Sequence, residues 1–378
     1  MKKMPTILVD ARYKTNPRGG DRCRFELATH LQSRKNQDFT FLAYAHARSD
    51  LQRCQIAPFL PEQHPQADWF EHVVIPRLSK QIGAAIYHGT FNVLPLRRAA
   101  PINIVTVHDM ALFAMPEAYS ARFGPFMRFL LRQSIRQADA IITVSSATKD
   151  EITRVFPWAK RKLIVPILNG VGKEFLDAAH LEKAAVTTRL SSLGLPDPYI
   201  LFVGNLERKK NLGRLIEAFL DGKSRFNWPH SLVIVGEKPP KLPPEIAQTG
   251  DLPPSVHFTG YLPDADLPLV YRGADLVAYP SLYEGFGLPV LEGMAAGTPV
   301  LTSTVSSLPE IAGGAALLVD PFDVTAIAEA LNRALSDIQW RRDAIEAGRE
   351  RAHELSWAKN ADETAKLYVQ LAEERFSK

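Results

Sequence analysis

The chain has 378 residues, too many for one simple core, so two domains are expected. Hydrophobic residues make up 46% and charged residues 23%, as in ordinary globular proteins, and 45 basic against 41 acidic residues leave a net charge of only +4, which argues against a nucleic-acid partner. Cys23 and Cys54 stand alone without paired spacing, which excludes a disulfide framework or a cysteine-based metal site and points to a reducing, cytoplasmic compartment.

Short β-branched runs alternate with amphipathic stretches along the chain. The first apolar run stops at Val9 and reads as a strand rather than a signal peptide. Expected strands are Ile7–Asp10, Phe39–Ala43, Ala85–His88, Asn103–Val107, Ala140–Val144 and Lys162–Val165, then Tyr199–Val203, Ser231–Val235, Val256–Thr259, Leu276–Tyr279, Val300–Thr302 and Ala316–Val319. Helical patterns separate most of them, at Arg22–Lys35, Ser120–Ala138, Asn211–Leu220 and Val324–Ser336. Such alternation argues for parallel sheets covered by helices, and two series in succession argue for two doubly wound domains, an α/β fold. Asn169-Gly170-Val171-Gly172 is the natural break and hinge between them. A last helix from Trp357 to about Arg375, with Leu367, Val369 and Leu371, has no strand after it and must dock on an existing core.

Four constellations carry chemistry. Pro17-Arg-Gly-Gly20, between the first strand and helix, resembles a phosphate-approach turn without the full dinucleotide spacing. His108 follows a strand and reads either as a cleft residue or as a buried, satisfied histidine. Arg208, Lys209 and Lys210 follow the turn at Gly204, where cations at the carboxyl end of a parallel strand can hold a diphosphate; a solvated basic loop is the plainer alternative. The strongest signal is Glu284-Gly-Phe-Gly-Leu-Pro-Val-Leu-Glu292, in which a glycine turn leads into a helix opened by Pro289. Its first-turn amides suit an anion, and the flanking carboxylates suit neutral hydroxyls of the same ligand, as in a sugar and a ribose either side of a diphosphate.

These elements together resemble glycosyltransferase family 4, retaining enzymes of the two-Rossmann-domain type (GT-B), close to its bacterial mannosyltransferase branch. The resemblance runs through TVHDMALFAMPEAYS (106–120), ADAIITVSSATKDEI (138–152), VGNLERKKNLGRLIEAF (203–219), FTGYLPDADLPLVYRGADLVAYPS (258–281) and SSLPEIAGGAALLVDP (306–321). It implies two Rossmann-like domains facing across a cleft: residues 1–172 for the acceptor, 173–355 for the nucleotide-sugar donor, and a C-terminal helix, 356–378, returning to the first domain. By resemblance Glu292 binds the ribose, Glu284 contacts the donor sugar, Lys210 binds phosphate and His108 lies at the sugar, with Glu284, Lys210 and His108 as the catalytic set. Gly19, Gly20, Gly204, Arg208, Lys209, Phe286, Gly287 and Leu288 complete the phosphate and sugar contacts, and Gly260 with Tyr261 lies near the base. Lys209 stands where the pattern has arginine, so either it substitutes as a point charge or Arg208 reaches in.

The implied reaction passes a hexose from a nucleotide diphosphate sugar, GDP-mannose favoured, to a hydroxyl of a glycan or glycolipid, with no cofactor and no metal. The alternatives are a nucleotide-sugar epimerase of the same architecture or a non-catalytic nucleotide-sugar binding subunit. Trp69, His88, Phe91, Asn92 and Met110 are the candidates for the acceptor wall. Arg128, Arg132 and Arg136 recur four residues apart among Phe123, Phe126, Phe129 and Leu130, a pattern that fits either a core helix with a solvated edge or a peripheral membrane contact at the inner face.

Overall fold

The computed structural model describes residues 5–13, 19–34, 38–44, 50–51, 54–57, 70–236 and 252–376. Trp69 and the Pro17-Arg18 half of the first glycine turn lie outside them. The chain divides into two compact units, one running to Gly170 and resuming at Trp357, the other spanning Val171–Ser356.

In the first unit seven strands form an all-parallel sheet in the order β3-β2-β1-β4-β5-β6-β7. They are β1 (Thr6–Asp10), β2 (Asp38–Tyr44), β3 (Cys54–Ala57), β4 (Ile86–Gly89), β5 (Ile102–Val107), β6 (Ala140–Thr143) and β7 (Leu163–Pro166). Alternation along β1 explains why both faces are covered. Ile7 and Val9 pack with Leu27, Leu31, Tyr368 and Leu371 on one side, while Leu8 joins Tyr87, Val105, Leu131 and Ile135 on the other.

The C-terminal helix, Trp357–Phe376, belongs to this unit. Leu367 and Leu371, four residues apart, are buried in the sheet's core, whereas Val369 lies off that face and is 37% exposed. Asn360 Nδ2 donates to the Leu168 carbonyl at 2.9 Å, and Arg34 pairs with Asp362 at 2.8 Å.

The second unit carries a six-stranded parallel sheet in the order β10-β9-β8-β11-β12-β13. Its strands are β8 (Tyr199–Val203), β9 (Ser231–Val235), β10 (Val256–Gly260), β11 (Leu276–Tyr279), β12 (Val300–Ser303) and β13 (Leu317–Val319). Every residue of β11 is fully buried, as expected of a central parallel strand. Helices Leu212–Phe226 and Val324–Ser336 pack against each other. The chain order of each sheet reverses once, between β1 and β4 and between β8 and β11. At such a switch point, loops from the carboxyl ends of the strands part and leave room for a ligand.

Several elements went unread from sequence, among them β3 and the helices Ile75–Gln81, Ser146–Val155, Leu267–Gly273 and Ile338–Glu354. The helix expected from Asn211 begins at Leu212, because Asn211 takes a left-handed conformation (φ 59°) between a tight turn at Arg208–Lys210 and the helix.

Candidate functional site

Lys210 follows β8 and Glu284 follows β11, so the switch point of the second sheet brings together residues 74 apart in sequence. Lys210 Nζ donates to Glu284 Oε1 at 2.7 Å and to the Tyr279 hydroxyl at 2.6 Å. Oε1 also accepts from Tyr279 and from Ser281 Oγ, each at 2.8 Å. Burial would by itself raise the Glu284 pKa; Lys210 first and Lys209 next oppose it, with hydrogen bonds from Lys210 and Ser281, and the net shift is downward. Glu284 is therefore ionised at neutral pH, and Lys210 is its counter-ion.

The turn after Glu284 is held from below. Ser307 Oγ donates to the carbonyls of Glu284 and Phe286, at 3.0 and 2.8 Å, and the Glu284 amide donates to Ser306 Oγ at 3.0 Å. Gly287 sits at φ 107°, and a β-carbon there would lie 2.7 Å from Leu308 Cδ2, so the turn requires glycine. Helix Leu288–Ala295 begins at once, and the amides of Gly287 and Leu288 donate to no described backbone or side-chain acceptor. A helix start with open amides beside a cation suits an anion. Glu292, one turn further on, accepts from the buried Tyr271 hydroxyl at 2.8 Å.

The other cations divide. Lys209 is half-buried with Nζ 3.4 Å from Glu207, and its carbonyl accepts from the Leu282 amide at 2.7 Å and Ser281 Oγ at 3.1 Å. Arg208 is exposed. Gly204 ends β8 at φ 156°, and its amide bonds Val235. Gly260 (φ 69°) lies at the bulge where β10 leaves its register with β9, and Tyr261 after it is 55% exposed.

A second group gathers in the first unit at the carboxyl ends of β4 and β5. His108 Nε2 is 2.8 Å from the Thr90 carbonyl, which only accepts, so Nε2 carries the proton and Nδ1 is the acceptor. The His108 amide donates to Asn92 Oδ1 at 2.8 Å, with Asn92 left-handed at φ 56°. Burial pushes the His108 pKa down to about 4, so the ring is neutral at pH 7. Its neighbour Phe91 lies 4.9 Å away, centroid to centroid, and the Arg24 guanidinium sits 4.7 Å from the Phe91 centroid. Gly19 (φ 52°) precedes the helix Gly20–Gln32, and a β-carbon on Gly20 would lie 2.2 Å from the Phe91 ring.

Family models match both halves of the chain: "Glycosyltransferase Family 4" over residues 17–175 and "Glycosyl transferases group 1" over 191–351. The O-antigen chain mannosyltransferase B of Escherichia coli is 33% identical over 289 residues, which is 75% of this chain and 74% of that one. The chain belongs to glycosyltransferase family 4. The serotype-specific mannosyltransferase WbdA of Escherichia coli is 31% identical over 268 residues, 68% of this glycosyltransferase but only 32% of that longer protein. Among solved structures, WaaG, a glycosyltransferase involved in lipopolysaccharide biosynthesis, aligns with a TM-score of 0.74 at 16% identity over 96% of this chain and 99% of its own. Anabaena HepE in complex with UDP and glucose aligns at 0.73 with 17% identity, over 97% of this chain and 100% of that one. At such identities the structures speak for the fold alone.

The glycosyltransferase thus collects Gly204, Lys209, Lys210, Glu284, Phe286, Gly287, Leu288 and Glu292 on the second sheet, and Gly19, Gly20, Phe91, Asn92 and His108 on the first unit. Two acceptor-wall candidates need correction. His88 is fully buried in β4, hydrogen-bonded at both ring nitrogens to Tyr368 Oη at 2.5 Å and Thr106 Oγ1 at 2.7 Å. Met110 is equally buried, within the core on the far side of the sheet. Neither can line a wall. Residues missed in sequence are Tyr279, Ser281, Ser307 and Arg24; Ser281 lies just beyond the buried run of β11, which was the available signal for it, whereas the Tyr279 hydroxyl at the end of that run had none.

Proposed function

We propose that this glycosyltransferase moves a hexose, mannose, from a nucleotide diphosphate sugar to a hydroxyl of a growing polysaccharide or glycolipid, acting in the cytoplasm. The observation that carries the donor half is the Lys210–Glu284 pair at 2.7 Å beside the open amides of Gly287 and Leu288, a cation and a helix start at one switch point. The names of the mannosyltransferase relatives support the sugar and the polysaccharide context, and the name of the UDP-bound HepE structure supports a nucleotide donor.

In the reaction, the bond from the anomeric carbon to the diphosphate breaks and a bond to the acceptor oxygen forms on the same face, giving retention. The acceptor proton passes to the departing phosphate oxygen, so no enzyme nucleophile is needed. Lys210, Lys209 and the helix amides take up the charge growing on the diphosphate, and ionised Glu284 faces the positive charge growing on the sugar. Glu292 holds the ribose, and the neutral ring of His108, in the first unit, offers its Nδ1 lone pair to a sugar hydroxyl. Charge handling by these groups asks for no metal. The second unit takes the donor and the first the acceptor, with Phe91 and Asn92 the remaining described wall residues.

A thermal-shift panel of GDP, UDP, ADP and dTDP tests the donor. GDP is expected to raise the melting temperature most, since a ligand at 100 times its Kd stabilises by about 2.7 kcal/mol. No shift with any of the four would overturn a nucleotide-sugar donor; a shift with UDP alone would overturn GDP-mannose.

A further inference from the structure

Asn211 directly follows Lys210 and stands at the N-cap of helix Leu212–Phe226. An asparagine there ordinarily turns its side-chain oxygen onto an amide of the first helical turn. Asn211 makes no such bond. It is only 5% exposed, and its Nδ2 donates to two carbonyls, Pro280 at 2.9 Å and Pro321 at 2.6 Å. Oδ1 accepts from Arg214 Nη1 at 3.0 Å. Carbonyls only accept and a guanidinium only donates, so these partners fix which way the amide points, and both hydrogens of Nδ2 are used.

The residues so joined belong to different strand ends. Asn211 follows β8, Pro280 follows β11, and Pro321 lies just beyond β13. Pro280 also links Tyr279 to Ser281, the two residues whose hydroxyls hold Glu284 Oε1. Arg214 closes the far side, its guanidinium 5.7 Å from the ring centroid of Phe322, the residue after Pro321. The left-handed backbone at φ 59° admits asparagine and glycine at least cost. Of the two, only asparagine has an amide to span the strands.

We propose that Asn211 is a positioning residue for the transfer: its amide pins the turn carrying Lys210 to the ends of β11 and β13, and so sets the approach of the ammonium to Glu284 and to the donor phosphates. The phosphate half rests on the donor-site reading given above. The side chain is buried and spent on protein partners, so it acts through Lys210 rather than on the donor.

Two substitutions separate the bridge from the bend. Asn211→Gly keeps the left-handed backbone and deletes the bridge. Asn211→Asp keeps the bend, the helix-cap chemistry and the Arg214 contact, but turns an acceptor oxygen onto the two carbonyls. A residue needed only for the bend would tolerate both. In the full chain each should lower kcat about ten-fold or more, since a misplacement of about 1 Å can cost on the order of 100-fold. In a Lys210→Ala background Asn211→Gly should change kcat by less than about two-fold, because the group it positions is gone.

Glu284 gives a readout that needs no donor. Burial raises its pKa, and among its charged neighbours Lys210 first and Lys209 next bring it down. A displaced ammonium leaves the carboxyl titrating at higher pH. Carbon-13 NMR of glutamate-labelled protein, with the resonance assigned by its loss in Glu284→Gln, should show that move in both Asn211 variants. A lower melting temperature with an unmoved Glu284 titration would overturn the proposal, as would an equal loss of kcat in the parent and Lys210→Ala backgrounds. Lys210→Ala with the parent's kcat would instead sink the donor reading, and the Glu284 titration would still decide whether Asn211 places the ammonium.

Discussion

Lys210 and Glu284 meet through one carboxylate oxygen only. Oε1 takes the ammonium at 2.7 Å together with the hydroxyls of Tyr279 and Ser281, while Oε2 accepts from no described group. The protein thus fixes one oxygen with three donors and leaves the other for a ligand hydroxyl. Among the described residues the Lys210 ammonium has only Glu284 and Tyr279 as partners, and both can keep their remaining contacts when the ammonium turns to a phosphate.

That division predicts separable kinetics. Lys210→Ala removes charge that matters most as the leaving group departs, so kcat should fall about 100- to 1,000-fold. On the proposed ribose role, Glu292→Ala removes a contact made equally to bound donor and transition state. Its donor KM should rise roughly ten-fold with kcat within a factor of about three. Steady-state kinetics with varied donor checks both, and unchanged constants in the pair would remove the site assignment.

Tyr279→Phe keeps the ring and its stacking on Phe202 (5.6 Å between centroids) but deletes the hydroxyl between Lys210 and Glu284. Ionised Glu284 then loses a donor, and its pKa rises. The acid limb of kcat/KM should move to higher pH, and kcat should fall about ten-fold while donor KM changes little. A residue that only packs would lower the melting temperature and leave the limb in place, so an unmoved limb counts against this positioning role.

How much of this was legible beforehand depends on what each residue type can signal alone. Tyr199–Val203, Ser231–Val235 and Leu276–Tyr279 are strands residue for residue as read, because each is an apolar run closed by turn residues. Cys54–Ala57 is short and carries one β-branched residue, and Ile338–Glu354 is dominated by charge, so neither announces itself by periodicity. His88 was misplaced because its neighbours Ile86, Tyr87 and Gly89 are all buried; a central parallel strand has no wet face for a polar side chain to occupy. The Tyr279 hydroxyl was invisible for the opposite reason. Its role arises only when β8 and β11 become neighbours and bring Lys210 within reach.

The misplaced His88 carries a pH prediction. Burial lowers its pKa to about 3, well below the ordinary 6.5. Between those values the unfolded chain binds a proton that the folded chain refuses, so the stabilisation is complete above about pH 6.5 and is lost as pH falls towards 3. His108, at about 4, acts in the same direction. Each contributes a slope of up to about 1.4 kcal/mol per pH unit. His88→Gln should start less stable at pH 7, losing the bonds to Tyr368 and Thr106, yet show a shallower decline from pH 6.5 to 4.5. Melting curves across that range decide it, and parallel declines would mean that His88 does not stay neutral in the fold.

On the proposed donor site, Gly287 links stability to donor binding. An alanine there must hold φ at 107° and bring its β-carbon within 2.7 Å of Leu308 Cδ2. Leu308 opens the helix Leu308–Ala312, directly after the Ser307 whose hydroxyl holds the carbonyls of Glu284 and Phe286. Relief of the clash must shift the fully buried Leu308 side chain against its packing, that helix, or the turn carrying the Gly287 and Leu288 amides. Gly287→Ala should cost about 1–3 kcal/mol of stability and raise donor KM at least ten-fold. Gly83→Ala separates the two effects. It imposes a left-handed alanine at φ 66° with no atom within 4 Å of the new β-carbon, in the other unit. It should lower the melting temperature through backbone strain alone and leave donor KM untouched. If Gly287→Ala also keeps the parent's KM, the amides after this turn are not where the donor phosphates bind.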